Sequence, residues 1–341
     1  MKRLRRSLRG GPAAWLAGLF CGLALLAGPA VQARAAACPP TPQPYGADEL
    51  TRAQDHASDR GFLWRLEGPD PADAHPSWLY GTIHIARRDW VLPGRLTRQA
   101  LQQADLLALE LDPLDPDILR RLQQAMRAEP GAAALPADIA RRLQMQTDLA
   151  CLGQALDGLR PEMQAVTLSV LALRDRGLDP AYGVDAYLAG LARALNKPVL
   201  SLETPEAQIG LLLQADAGAT ANFVDEALSS LEDGSAVRST ERLALAWSLG
   251  RLDELETYAQ WCQCLQTETQ RAEARRMIDE RNLSLAADIA RRHKSGLRLF
   301  VAVGALHLSG PEGVAALLAR SGWRVERVPG HGAGQAPAAS R

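Results

Sequence analysis

The sequence predicts an α/β fold: a mixed central sheet built from both ends of the chain, with a large helical insertion between them. Three observations predict it. Short runs of β-formers cluster at residues 62–111 and 297–328, with one brief return at 197–202. The long middle carries its apolar residues at helical spacing. The composition is rich in Ala, Leu and Arg with only 5% aromatics, which favours helix. No repeat period of roughly 20–50 residues is visible, which argues against a solenoid.

Taken in order, residues 1–35 read as a secretory signal peptide. Lys2, Arg3, Arg5, Arg6 and Arg9 form its basic start, Ala13 to Ala27 its apolar stretch, and Val31-Gln32-Ala33 and Ala33-Arg34-Ala35 its small residues at cleavage spacing. The apolar stretch falls short of the roughly 20 residues that span a bilayer. No later segment is apolar enough. The expected mature chain is therefore periplasmic or secreted, with no membrane span after cleavage. Residues 36–60, rich in Pro, Ala and polar residues, read as a flexible lead-in. Phe62–Glu67 alternates apolar and polar and predicts an edge strand. Gly68-Pro69-Asp70-Pro71 turns the chain, and Ser77–Ile83 completes a hairpin.

Pro93–Ala104 has helical spacing. Leu106–Leu111 is almost wholly apolar and predicts a buried central strand, ended by Asp112-Pro113. Helices are expected over about 114–196, broken at Pro130-Gly131, Pro136 and Pro161, and again over about 205–294. Between them Lys197–Leu202 is a short strand. Leu297–Val303 is the next. A helix over Pro311–Ser321, with Pro311 near its first turn, and an edge strand over Trp323–Val328 complete a single domain at 61–329. The Gly-, Ala- and Pro-rich residues 330–341 read as a disordered tail.

Charge narrows the function. Lys+Arg is 38 against Asp+Glu 39, so there is no basic excess of the kind a phosphate-binding surface carries, and nucleic acid is not expected as a partner. Cys38, Cys151, Cys262 and Cys264 remain after signal cleavage, an even count suited to an oxidising compartment. Cys262 and Cys264 stand at i and i+2 of an expected helix, where side chains do not face each other. The two pairings that join Cys38 and Cys151 to Cys262 and Cys264 are therefore favoured. Free thiols are the alternative, as is lipidation at Cys38, although the large apolar residue usual before a lipidated cysteine is missing. The spacing is not that of a zinc ribbon.

Two apolar runs end in Gly-x-x-His. One is Trp78 to His84, through Gly81; the other is Phe300 to His307, through Gly304. Glu110 and Glu203 end two further strands. Open α/β sheets place their sites just outside such strand ends. Two imidazoles with carboxylates form a common set for a divalent metal that activates water, and glycine before each histidine permits a tight turn or close approach to a ligand. The plainer alternatives are that each histidine is a hydrogen-bonded loop residue, that Glu110 forms a salt bridge, and that Glu203 caps the helix starting at Pro205.

The chain resembles the TraB/GumN family, whose animal relatives are the Tiki proteins, from about Phe62 to Val328. The segments that carry the resemblance are Tyr80–His84, Leu109–Asp112, Gly183–Asp185, Lys197–Thr204, Glu280–Asn282, Val301–Leu308 and Gly322–Glu326, in that order. The resemblance implies an α/β core shared with erythromycin-esterase and ChaN-like haem-binding proteins. It also implies a metal-dependent protease-like site. In it His84 and His307 are metal ligands, Glu110 is a ligand or general base, and Arg281 holds a substrate carboxylate or an oxyanion with Asn282 beside it. Asp185 and Glu203 are motif residues of less defined role, and Asp185 equally suits a cap on the helix that follows it. The expected function is an exported metal-dependent hydrolase, a peptidase first, acting on a peptide or small molecule. The His/carboxylate set does not choose among zinc, manganese, cobalt and iron. The alternatives are a haem- or metal-binding protein without turnover, and an interaction protein with a vestigial site.

Overall fold

The computed structural model describes residues 38–39, 41–71 and 75–328. The signal peptide and the 330–341 tail lie outside the described residues. Six strands form one mixed sheet: β1 (Phe62–Glu67), β2 (Ser77–Thr82), β3 (Leu106–Leu109), β4 (Val199–Ser201), β5 (Leu299–Gly304) and β6 (Arg324–Arg327). Their order is β4-β3-β5-β2-β1-β6. The four strands β4, β3, β5 and β2 run parallel, while β1 is antiparallel to both of its neighbours. Strands from both ends of the chain thus interleave, as the clustering of β-formers predicts.

The physical reason lies in the sequence of the central strands. Leu106-Leu107-Ala108-Leu109 and Leu299-Phe300-Val301-Ala302-Val303-Gly304 are apolar on both faces, and both strands are buried at nearly every position. Such strands suit the middle of a parallel sheet covered by helices on each side. Among the covering helices, Glu280–Lys294 and Val184–Ala194 pack directly on β5 and β3. The edges are short: β4 has three residues, and β6 is mostly exposed and bears Arg324, Glu326 and Arg327, features that discourage edge-to-edge pairing.

Several expectations need correction. β1 is an inner strand, because β6 pairs outside it with Val325 opposite Leu66. The helix expected from Pro311 begins at Val314, since Gly313 stands at its N-cap. The expected lead-in contains a helix, Ala47–Asp55, and is tied down by the Cys38–Cys151 disulfide. The favoured cysteine pairing is overturned by that bridge and by a second between Cys262 and Cys264. The helix Tyr258–Trp261 stops before them, and Gln263 takes a left-handed φ of 56°. The turn at Gln263 brings together two side chains that a continuing helix would hold apart.

Candidate active site

Because β2, β3, β4 and β5 are parallel, their C-terminal ends share one rim. His84, Glu110, Glu203 and His307 all follow those ends. The ladder continues past the strands: the Glu203 N–H donates to the Glu110 carbonyl at 3.0 Å. His84, Glu110 and His307 are 3–5% exposed. All seven residues singled out from the sequence meet here.

The two glycines owe their place to space, not to turning. Neither has a left-handed φ. A Cβ on Gly81 would lie 3.3 Å from Ala305 Cα, so glycine lets β2 meet the turn that carries His307. A Cβ on Gly304 would sit 3.3 Å from Glu110 Oε1, 3.5 Å from His84 Nε2 and 3.6 Å from His307 Cδ2. Glycine therefore leaves a methyl-sized space ringed by two imidazoles and a carboxylate.

Each histidine is set through Nδ1. Asn282 Nδ2 donates to the Glu312 carbonyl at 2.8 Å, which turns Oδ1 toward the ring, 2.6 Å from His307 Nδ1. An amide oxygen only accepts, so Nδ1 carries the proton and Nε2 keeps its lone pair. His84 Nδ1 lies 2.9 Å from Asp185 Oδ2, a close ion-pair contact off the hydrogen-bond axis. Asp185 is fixed by Thr82, whose hydroxyl donates to Oδ1 at 2.8 Å. His84 Nε2 is buried with no hydrogen-bond partner among the described residues.

The carboxylates are set by Arg281. Its Nε donates to Glu203 Oε1 at 2.8 Å, and Nη2 reaches Glu110 Oε2 and Glu203 Oε2 at 2.5 Å each. Nη1 donates to the Met277 carbonyl at 2.9 Å. Met277 belongs to a π-helical turn, Arg275–Asp279, directly before the helix Glu280–Lys294. Such turns concentrate at functional sites because they re-aim side chains within a helix. Gln208 joins the two carboxylates, its amide 2.9 Å from Glu203 Oε2 and 3.3 Å from Glu110 Oε2. Glu110 Oε1 accepts the Gly304 N–H at 2.7 Å and lies 3.9 Å from His307 Nε2.

Electrostatics separate the two rings. Burial works to lower the His84 pKa, but Asp185, with Glu110 behind it, outweighs burial and holds it above the ordinary value. Burial and the nearby Arg281 push His307 down to about 3. Burial opposes ionisation of Glu110, yet Arg281, both histidines and the Gly304 N–H keep it below the usual carboxylate range.

Among the described residues, no group of three or more His, Cys, Asp or Glu side chains stands at metal-binding spacing. The donor chemistry nevertheless fits a divalent ion. Two carboxylates, Glu110 and Glu203, meet the Arg281 guanidinium, and a third, Asp185, stands against His84. The 3.9 Å between His307 Nε2 and Glu110 Oε1 is within twice a metal–ligand bond of about 2.0–2.2 Å. The partners on Nδ1 orient both rings as outer-shell groups do around metals.

Thr82 and Gln208 join the site beyond the residues that the sequence points to. Thr82 lies inside the first Gly-x-x-His segment, which was the available signal. Gln208 looks like any polar residue in a first helical turn. The cap of its helix, Pro205–Leu212, is Thr204, which frees Glu203 for Arg281.

The family described as TraB/PrgY/gumN matches residues 62–327. Two curated relatives, each described as "Uncharacterized protein YbaP", are similar over part of the chain. The one from Shigella flexneri is 31% identical over 169 residues, 48% of this chain and 58% of the relative. The one from Escherichia coli (strain K12) is 30% identical over 161 residues, 46% of this chain and 55% of the relative. The matched region thus spans little more than half the length of either. No solved structure matches significantly.

Proposed function

The chain belongs to the TraB/PrgY/gumN family, and from that membership and the site's geometry we propose that it is an exported metal-dependent hydrolase, acting first on peptides. The observation that carries the reading is the methyl-sized space at Gly304, ringed by His84 Nε2, Glu110 Oε1 and the His307 ring. His84, His307 and Glu110 would hold the ion. A divalent metal, when bound, supplies Lewis acidity and water activation near neutral pH. His307 presents a neutral Nε2 because Asn282 holds its Nδ1 proton. Asp185 orients His84 through Nδ1, and because its charge raises the ring's proton affinity an ion at Nε2 would compete with a proton there. Glu110, kept ionised beside Arg281, would serve as a ligand or as the general base, and where it is a ligand Glu203 would take the proton. Arg281 spends most of its donors on these two carboxylates and Met277. Its role here is to fix them and to place positive charge beside the reacting centre. Export follows from the basic, apolar and small-residue pattern of residues 1–35.

A second reading is a metal- or haem-binding protein without turnover. One observation favours it: both Glu110 oxygens already accept hydrogen bonds. The experiment that separates the readings measures bound metal and peptide hydrolysis in purified protein, with His84→Ala and His307→Ala alongside. The hydrolase reading expects stoichiometric metal and hydrolysis in the parent, both lost in each variant. Metal without hydrolysis selects the second reading, and unchanged activity in both variants removes the first.

A further inference from the structure

A cavity of about 300 Å³ lies beside His307 but is lined by none of the seven site residues. Its size is at the lower end for small-molecule sites, about 300–1,000 Å³. Leu306 and Ser309, on either side of His307 in sequence, form part of its wall. Leu255, Tyr258, Leu265 and Ile278 give it an apolar lining. Two carboxylates at the cavity, Glu256 and Asp279, have no hydrogen bond or ion pair among the described residues. Of the other charged groups there, Arg271 and Arg275 share Glu268 at 3.2 and 3.0 Å, Glu312 pairs with Arg320 at 3.3 Å, and Arg275 and Glu312 act on Asp279 from beyond ion-pair distance with opposite sign. An apolar hollow with unpaired carboxylates suits an apolar group that carries a cation. A bulky apolar residue with a free α-ammonium has that chemistry.

The cavity wall is also continuous with the backbone that holds the site. Ile278 and Asp279 belong to the π-helical turn whose Met277 carbonyl accepts from Arg281. Glu312 contributes the carbonyl that accepts from Asn282, the partner of His307.

We propose that this cavity binds an apolar amine, namely the N-terminal residue of a peptide, with its side chain against Leu255, Ile278 and Leu306 and its ammonium at Asp279 and Glu256. Binding in the cavity requires no metal. The consequence that a peptide bound there is presented to His307 rests on the hydrolase reading.

The test titrates metal-free protein with phenylalaninamide, N-acetylphenylalaninamide and glycinamide, following heat of binding. Phenylalaninamide is expected to bind saturably. The acetylated amide, without its charge, and glycinamide, without its side chain, should each bind about tenfold weaker or less. Asp279→Asn combined with Glu256→Gln should erase the advantage of the free amine while the thermal melt is retained. Ile278→Trp, which fills the hollow, should abolish binding of all three. Equal binding of the three amides, absence of saturable binding by phenylalaninamide, or an amine preference that survives the double variant would overturn the proposal. Because no step of the titration uses metal or hydrolysis, its result is separate from the fate of the hydrolase reading.

Discussion

The two Gly-x-x-His turns sit side by side on adjacent parallel strands, with Thr82 opposite Gly304 in register, yet their histidines live in different electrical settings. His84 has a carboxylate at Nδ1 and binds its proton more tightly than an ordinary imidazole. His307 has a neutral amide at Nδ1 and the Arg281 guanidinium nearby, and binds its proton far less tightly. Equal motifs have thus been given unequal partners. Ring position is a property of the strand and the glycine. Proton affinity is a property of the surroundings: Asp185 raises it at His84, while burial and Arg281 lower it at His307, whose Nδ1 partner Asn282 brings no charge to offset them. Glu110 and Arg281 are common to both.

The largest expected effect removes what the two histidines share. Arg281→Met leaves Glu110 and Glu203 buried without their counter-charge, and is expected to cost about 3–5 kcal/mol in denaturant unfolding. A loss below about 1 kcal/mol would show that Arg281 behaves as a surface group.

Exchanging the partners comes next. Asp185→Asn is expected to weaken metal binding about 10- to 100-fold, and in metal-free protein to lower the His84 pKa. Asn282→Asp should raise that of His307. Ring titrations followed by NMR check both directions. Unchanged titrations would mean that burial, not the Nδ1 partner, separates the rings.

The same contrast fixes the pH dependence of metal-free protein. His307 is neutral in the fold at a pKa of about 3, against 6.5 for an ordinary histidine. The unfolded chain therefore binds more protons, and stability is lost as pH falls from 6.5 toward about 3. His84 has the opposite sign, since its folded pKa is raised: its contribution is present below 6.5 and fades as pH rises through the higher folded value. Asn282→Asp should therefore soften the acid-side loss. Thermal melts from pH 3 to 7 measure it, and an unchanged acid limb would contradict the assignment of that limb to His307.

The smallest change in stability is expected from Gly304→Ala. With φ −51° and ψ 136°, alanine fits the backbone, and the change in folding stability should stay within about 1 kcal/mol. The new methyl occupies the space between Glu110, His84 and His307, so metal binding and hydrolysis should be lost. Retained metal would show that the ion sits elsewhere.

The strand ends that carry the site are legible in the sequence, for physical reasons, and the contrast between the two rings is not. Strand ends are marked locally by apolar runs and glycine, so the sequence points to His84, Glu110, Glu203 and His307 at strand ends, and their sharing of one rim follows from the parallel order of the strands. Asp185, Asn282 and Arg281 came with the family resemblance; their spacing alone does not separate Arg281 from Arg275 and Arg276. The π-helical turn that aims Arg281 has no such local mark. Gln208 carries no local mark either, because its partners lie 98 and 5 residues away in the chain. The cysteine pairing departs from the expected one because one residue, Gln263, leaves the helix that the surrounding spacing implies.

The central claim is that His84 and His307 serve one ion through Nε2. X-ray absorption at the metal edge of the loaded protein tests it most directly. The account predicts one metal per chain with two imidazole nitrogens in its shell, falling to one in His84→Ala and in His307→Ala. A metal shell unchanged in both variants, or protein that takes up no stoichiometric metal, would contradict it.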